Sequence, residues 1–350
     1  MGTMLDGAAA EPGFGPKRLA HELDVMRASG VETVRVAWNW YELQPYASWA
    51  AVPEDERDRF RDVRGLPLAV APTDLLVGLA ARRGLRVLPV TLGTPVWNVR
   101  RLLVAGSPPR DVAPYAALMR ALVSRYGSRG SFWREHPGVP RRPVRWWQLW
   151  NEPHLAAYWA APEWAAGYAK LVRAGARAVH REDRRARVLL AGVTTDTLPV
   201  WDRLDELLAE GVGPHVDMVG AHVFTRRPAG VVRALRRVRT TLRAYGLGRT
   251  RIALTEWSWP SSRGRRARAP WATTPRGQAT RVARTLRLLG RERRSLRLRT
   301  AVHYTWVSRE GGTAWSAWAG LRRLTADGRA VAKPALAAFR RVARSLRRGR

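Results

Sequence analysis

VRWWQLWNEPHLAAYWAAPEWAAGYAKLVRAGARAVHREDRRARVLLAGV occupies residues 144–193 and reads as one complete strand–helix–strand unit. VRWWQLWN (144–151) is a short apolar and aromatic run, which suits a strand. Glu163 to Arg181 reads as a helix, and ARVLLAGV (186–193) as the next strand. The same alternation extends in both directions. VETVRVAWNW (31–40), RVLPVTLG (86–93), VDMVGAHVF (216–224), RIALTEW (251–257) and RTAVHYTWV (299–307) are further strands. Helices are predicted at 16–29, 73–83, 112–126, near 199–210, 229–245, 275–290 and 334–346. The first of them carries Leu19, Leu23 and Met26 at helical spacing and meets Gly30 at its end.

Seven strands are clear, and the weak segment Thr3 to Ala8 supplies an eighth. Alternation repeated eight times predicts a parallel sheet closed into a (β/α)8 TIM barrel of the α/β class. The expected organisation is a single catalytic-type domain over 1–350, with a basic C-terminal tail at about 341–350. A doubly wound open sheet is the alternative. It would ordinarily carry a glycine-rich phosphate turn, and no G-x-G-x-x-G occurs.

Composition narrows the function. The 46% hydrophobic content is enough for a sizeable core, and the absence of cysteine excludes disulfides, thiol nucleophiles and thiolate metal sites. No apolar run reaches the roughly 18 residues of a membrane span. The start MGTMLDGAAAEPGFG lacks a signal peptide's basic and apolar regions, so the chain reads as soluble, with its localisation undetermined. The net charge is +34, with only Lys17, Lys170 and Lys333 as lysines, an Arg-for-Lys bias of the kind a GC-rich genome writes. That field favours anionic partners. Basic residues interleaved with exposed aromatics, and helix-turn-helix patterns, are both missing, which speaks against nucleic acid.

In such a barrel, chemistry collects at the C-terminal ends of the strands. Asn39, Trp40, Trp97, Asn98, Asn151, Glu152, His222, Glu256, Trp257, Trp259, Tyr304 and Trp306 all fall at or just past predicted strand ends. Asn39, Asn98 and Asn151 are the only asparagines in the chain. Glu152 and Glu256 stand out, since a buried acid needs a partner or a proton. A carboxylate pair is the usual apparatus of glycoside hydrolysis, provided their environments separate the two pKa values. Arg35 is placed to hold Glu256 anionic, whereas Trp146 and Trp150, on the face of Glu152 by strand alternation, would favour its protonated form. Indole rings at strand ends suit the C–H faces of sugars, and Trp306 is the expected floor of the sugar site. The seven histidines form no H-E-x-x-H set; only His222 and His154 are placed for the site, so neither a metal nor a cofactor is expected.

Three segments resemble motifs of the retaining (β/α)8 glycosidases that include cellulases, mannanases and β-xylosidases. WQLWNEPH (147–154) is similar to their fourth-strand Asn-Glu-Pro motif, RIALTEWSW (251–259) to their nucleophile strand, and VRVAWNWYELQP (34–45) to their second strand. The resemblance spans about residues 16 to 340. It implies Glu152 as acid/base, Glu256 as nucleophile, Arg35 as its support and Asn151 as donor to the sugar 2-hydroxyl. His222 matches the sixth-strand histidine, but Phe224 stands where the family has tyrosine, and Tyr304 is the candidate replacement hydroxyl. Retaining cleavage of an oligo- or polysaccharide is therefore the expected activity, and the run Arg263 to Arg268 on the catalytic face makes an acidic glycan the expected substrate. The competing reading is a non-catalytic carbohydrate- or polyanion-binding protein on a barrel scaffold.

Overall fold

The computed structural model describes residues 1–5, 15–194, 198–267 and 269–348. Eight parallel strands close into a barrel: β1 (Gly2–Leu5), β2 (Thr33–Asn39), β3 (Arg86–Leu92), β4 (Trp146–Leu149), β5 (Arg187–Val193), β6 (Met218–His222), β7 (Arg251–Glu256) and β8 (Leu298–His303). Each strand is followed by a helix: α1 (Pro16–Ala28), α2 (Ala71–Arg82), α3 (Ala113–Tyr126), α4 (Trp164–Glu182), α5 (Val200–Ala209), α6 (Pro228–Ala244), α7 (Pro275–Arg291) and α8 (Pro334–Arg348). The (β/α)8 expectation holds. Closure is visible at β1, where Gly2 pairs with both Thr33 of β2 and Val302 of β8; an open sheet would leave one of those edges free.

The first strand ends at Leu5, and the remainder of the predicted segment, through Ala8, lies outside the described residues. β4 and β8 stop short of expectation, at Leu149 and His303 instead of 151 and 307. Both early endings matter for the site.

The chain divides into two compact units. One comprises Met1–Val36, Thr194–Trp201 and Gly220–Arg350. Leu23, Met26, Val34, Ile252, Leu254, Val302 and Phe339 are fully buried there. On α8, Leu336, Phe339, Val342 and Ala343 recur at three-to-four spacing and turn inward, while Arg341, Arg344 and Arg347 are exposed. The Arg344 guanidinium also donates to the Ala28 carbonyl at 2.6 Å, tying α8 to the end of α1. There Gly30 turns the chain with φ +89°, and a Cβ would meet that of Ala343 at 3.1 Å.

The other unit comprises Ala37–Val193 and Asp202–Val219. Trp38 of β2 packs on Tyr126 and on Trp147 of β4, with centroids 5.1 and 6.0 Å away. Tyr168 of α4 fastens two strands at once: its hydroxyl donates to the Leu149 carbonyl at 2.5 Å and accepts the Ala191 N–H at 2.8 Å. That clamp fixes the point at which β4 ends and the Asn151–Glu152 segment begins.

Candidate active site

The first unit holds a buried cluster around Glu256, the last residue of β7. Arg35 and Trp38 lie three apart on β2 and so face opposite ways; Trp38 takes the helix side, which sends Arg35 inward. Arg35 is fully buried, and its Nη1 donates to Glu256 Oε1 at 2.7 Å. A permanently charged guanidinium at that distance favours the carboxylate form of Glu256. His222, the last residue of β6, brings Nε2 to 3.6 Å from the same oxygen. Burial drives the His222 pKa down to about 3, against the opposing pull of Glu256 and with a further push from Arg35, so the imidazole is neutral at pH 7. The Val223 N–H donates to the Glu256 carbonyl at 2.9 Å and aligns the two strand ends. His222 and Glu256 offer metal-type donor atoms, but the Arg35 charge on Oε1 opposes a cation there.

The second unit positions Glu152. Its backbone has φ +39°, and Trp150 has φ +68°, both in the region that non-glycine residues seldom occupy. Such conformations cost about 1–3 kcal/mol each and persist where surrounding bonds fix them. Here the Trp150 N–H donates to the Thr91 carbonyl, its indole Nε1 to the Tyr158 carbonyl, and the Glu152 N–H to the Gly192 carbonyl. Asn151 and Glu152 are both buried. Because β4 ends at Leu149, strand alternation does not carry from Trp146 and Trp150 to Glu152. Trp150 instead packs edge-on against Tyr115 and Trp159, and Trp146 lies under Arg86. The expected apolar pocket built from these strand tryptophans is corrected accordingly.

Other sequence-derived candidates divide by exposure. Trp40 is fully buried, donates from Nε1 to Gln44 Oε1 at 2.9 Å, and packs edge-on against Trp97. Trp97 is half-buried and bonds the Gln44 carbonyl. These two are loop and core anchors. Asn39 is half-buried, with Nδ2 donating to Glu42 Oε2. Asn98 bonds the backbone of Asp111 in both directions, so its role is to staple a loop.

Trp306 is the clearest correction. It is completely buried, and its indole Nε1 donates to Glu22 Oε2 at 2.7 Å, an oxygen that also accepts from Arg322 at 2.6 Å. The ring belongs to the core and offers no face to a sugar. Since β8 ends at His303, Tyr304 and Trp306 also lie beyond the strand and do not share a face by alternation. Tyr304 is half-buried and lies 5.6 Å from Trp315. Around Trp315 stand Phe224 at 4.8 Å and Trp271 at 5.4 Å, with Phe224 and Trp271 stacked at 24°. All four rings are half-buried, on segments that follow β6, β7 and β8. Trp271 and Trp315 were not picked out from the sequence. The available signal was a tryptophan in the connection after each of the last two barrel strands.

Solved structures share this fold. A glucosidase from Croceicoccus marinus aligns over 99% of this chain and 67% of its own, at 20% identity and TM-score 0.66. A family 39 glycoside hydrolase from Bacteroides cellulosilyticus WH2 aligns over 98% and 63%, at 16% identity and TM-score 0.70. A monomeric β-xylosidase from Caulobacter crescentus CB15 aligns over 97% and 66%, at 18% identity and TM-score 0.63. The likeness is one of fold. This chain spans about two thirds of the length of those proteins. No protein-family model matches it, and no curated protein matches it in sequence.

Two outcomes are expected from the buried groups. Trp306→Phe should lower stability by about 1–3 kcal/mol in denaturant unfolding, because the buried Glu22 carboxylate loses a donor; unchanged stability would return Trp306 to the list of ligand contacts. His303, packed edge-on against Trp257, has its pKa driven down to about 3, chiefly by burial. An unfolded histidine titrates near 6.5, so the unfolded chain binds the extra proton between these values and stability falls as pH drops through that window. The difference in thermal midpoint between wild type and His303→Leu should therefore be flat above about pH 7 and shift in the variant's favour towards pH 4.

Proposed function

We propose that the protein is a retaining glycosidase in which Glu256 is the nucleophile and Glu152 the acid/base. The observation that carries this reading is the buried Arg35–Glu256 ion pair with neutral His222 beside it, at the C-terminal ends of barrel strands. In the first step a Glu256 oxygen bonds to the anomeric carbon as the glycosidic C–O bond breaks, and Glu152 gives its proton to the departing oxygen. In the second, Glu152 takes a proton from water, the water oxygen bonds to the anomeric carbon, and the Glu256 ester is released. Net, one water adds across one glycosidic bond. Arg35 keeps Glu256 ionised between turnovers, and Asn151 donates to the 2-hydroxyl of the attacked sugar. The glycoside hydrolases that share the fold support this reading, as do the sequence motifs at β2, β4, β6 and β7.

The half-buried rings of Tyr304, Trp315, Trp271 and Phe224 supply the sugar platform in place of Trp306. Beside Trp271 the chain is basic. Arg263, Arg265 and Arg266 are exposed, the Arg263 N–H donates to the Thr273 carbonyl, and Arg281 donates to the Trp271 carbonyl. The substrate class that matches rings and guanidiniums together is an acidic glycan bearing uronate groups.

Both parts are testable on purified protein. Glu256→Ala should abolish turnover of aryl glycosides. Glu152→Ala should keep the first step for good leaving groups and accumulate the glycosyl-enzyme. NMR of the first-formed product should show the retained anomer; an inverted anomer, or near-normal activity in Glu256→Ala, would refute the assignment. Turnover of a uronate-containing chain should fall steeply as salt rises to 0.1 M, where screening acts over about 10 Å. A salt-independent rate, or a preference for neutral glycans, would remove the acidic substrate.

A further inference from the structure

At the opposite end of the strands, the first unit contains a cavity of about 930 Å³. Its walls come from the starts of β7 and β8, the end of α7 and the segment joining α7 to β8. Arg251, Arg291, Arg293, Arg294, Arg297 and Arg299 line it, together with Leu289, Leu298, Leu346 and Thr300. No carboxylate is among the lining residues, and Arg251, Arg291, Arg293, Arg294 and Arg297 have no acidic partner among the described residues. The nearby Glu292 is engaged with Arg236 and Ser295.

Ordinarily exposed arginines are a solvated surface, and two observations separate this group from that case. The residues converge on a concavity within the range of about 300–1,000 Å³ typical of small-molecule sites. Behind them Arg239, whose guanidinium donates to the carbonyls of Gly248, Thr250 and Leu296, has its pKa pushed down to about 10 by burial and by the charges of Arg297 and Arg243. Positive charge here is dense enough to weigh on an arginine.

We infer that this cavity binds a small polyanion, a molecule carrying several phosphate or carboxylate groups, through the arginine forks. Guanidinium geometry matches both oxyanions bidentately. The apolar contribution of Leu289, Leu298 and Leu346 gives the ligand a dry floor on one side. The site stands apart from Glu256, at the other end of β7, and does not depend on the glycosidase reading.

Calorimetric titration of the intact chain at low salt, with inorganic tripolyphosphate and separately with citrate, tests the inference. One saturable site per chain is expected for at least one anion; tripolyphosphate alone would assign phosphate, and citrate alone carboxylate. Arg293→Ser/Arg294→Ser should weaken binding about tenfold or more, the loss of charge-assisted bonds. The control Arg184→Ser/Arg185→Ser, on an exposed segment of the other unit, should bind within about twofold of wild type. No saturable binding of either anion, unchanged binding in Arg293→Ser/Arg294→Ser, or an equal loss in the control would overturn the site.

Discussion

The ion pair between Arg35 and Glu256 sets the terms for the first unit. Both side chains are withdrawn from water, and an uncompensated charge in such a place costs several kcal/mol. The 2.7 Å contact compensates it only if β2 and β7 keep the registers that turn residues 35 and 256 inward. The β1–β2 and β7–β8 pairings hold those registers, Met4 opposite Arg35 and Leu254 opposite Ala301. Removing one partner of a buried pair typically costs about 3–5 kcal/mol, yet replacing both by apolar residues is often neutral or stabilising. Stability alone is therefore a weak explanation for an ion pair at this position. A permanently available carboxylate at a strand end is a stronger one.

The tryptophans illustrate how one residue type splits between packing and recognition. A buried indole usually finds an acceptor for its N–H, and several core rings here do. Trp306 finds Glu22, Trp40 finds Gln44, Trp150 finds the Tyr158 carbonyl and Trp259 the Thr225 carbonyl. Trp271 and Trp315 lie on the connections after β7 and β8 and are half-buried beside Phe224 and Tyr304. Composition does not distinguish the two groups, and neither does an acceptor alone, since Trp38, Trp147 and Trp257 are core rings with no partner for Nε1 among the described residues; burial by the surrounding fold makes the difference.

That contrast also explains how far the sequence could be read. Strand–helix alternation is a local pattern, and it located β2 to β8 and all eight helices to within a few residues. The placement of Arg35 beside Glu256 was legible because strand period and barrel topology together constrain it. Glu152 was legible as a strand-end acid, but its surroundings were not, because the left-handed backbone of Trp150 and Glu152 ends the alternation at Leu149. Trp306 was misread for a related reason: β8 ends three residues earlier, and its partner Glu22 lies 284 residues away on α1. The arginine excess read as a general positive field, whereas the fold concentrates part of it in a cavity that only the junction of α7, β7 and β8 creates.

The reading of Glu256 as a nucleophile is tested most directly by trapping its ester. The protein would be incubated with 2-deoxy-2-fluoro glycosides bearing an activated leaving group, across gluco, xylo, manno and uronate configurations, and its peptides mapped by mass spectrometry. The expected result is a single fluoroglycosyl adduct on Glu256, formed in step with loss of activity. An adduct on another residue, or an enzyme that turns over the parent glycoside yet acquires no adduct from its fluoro analogue, would contradict the assignment.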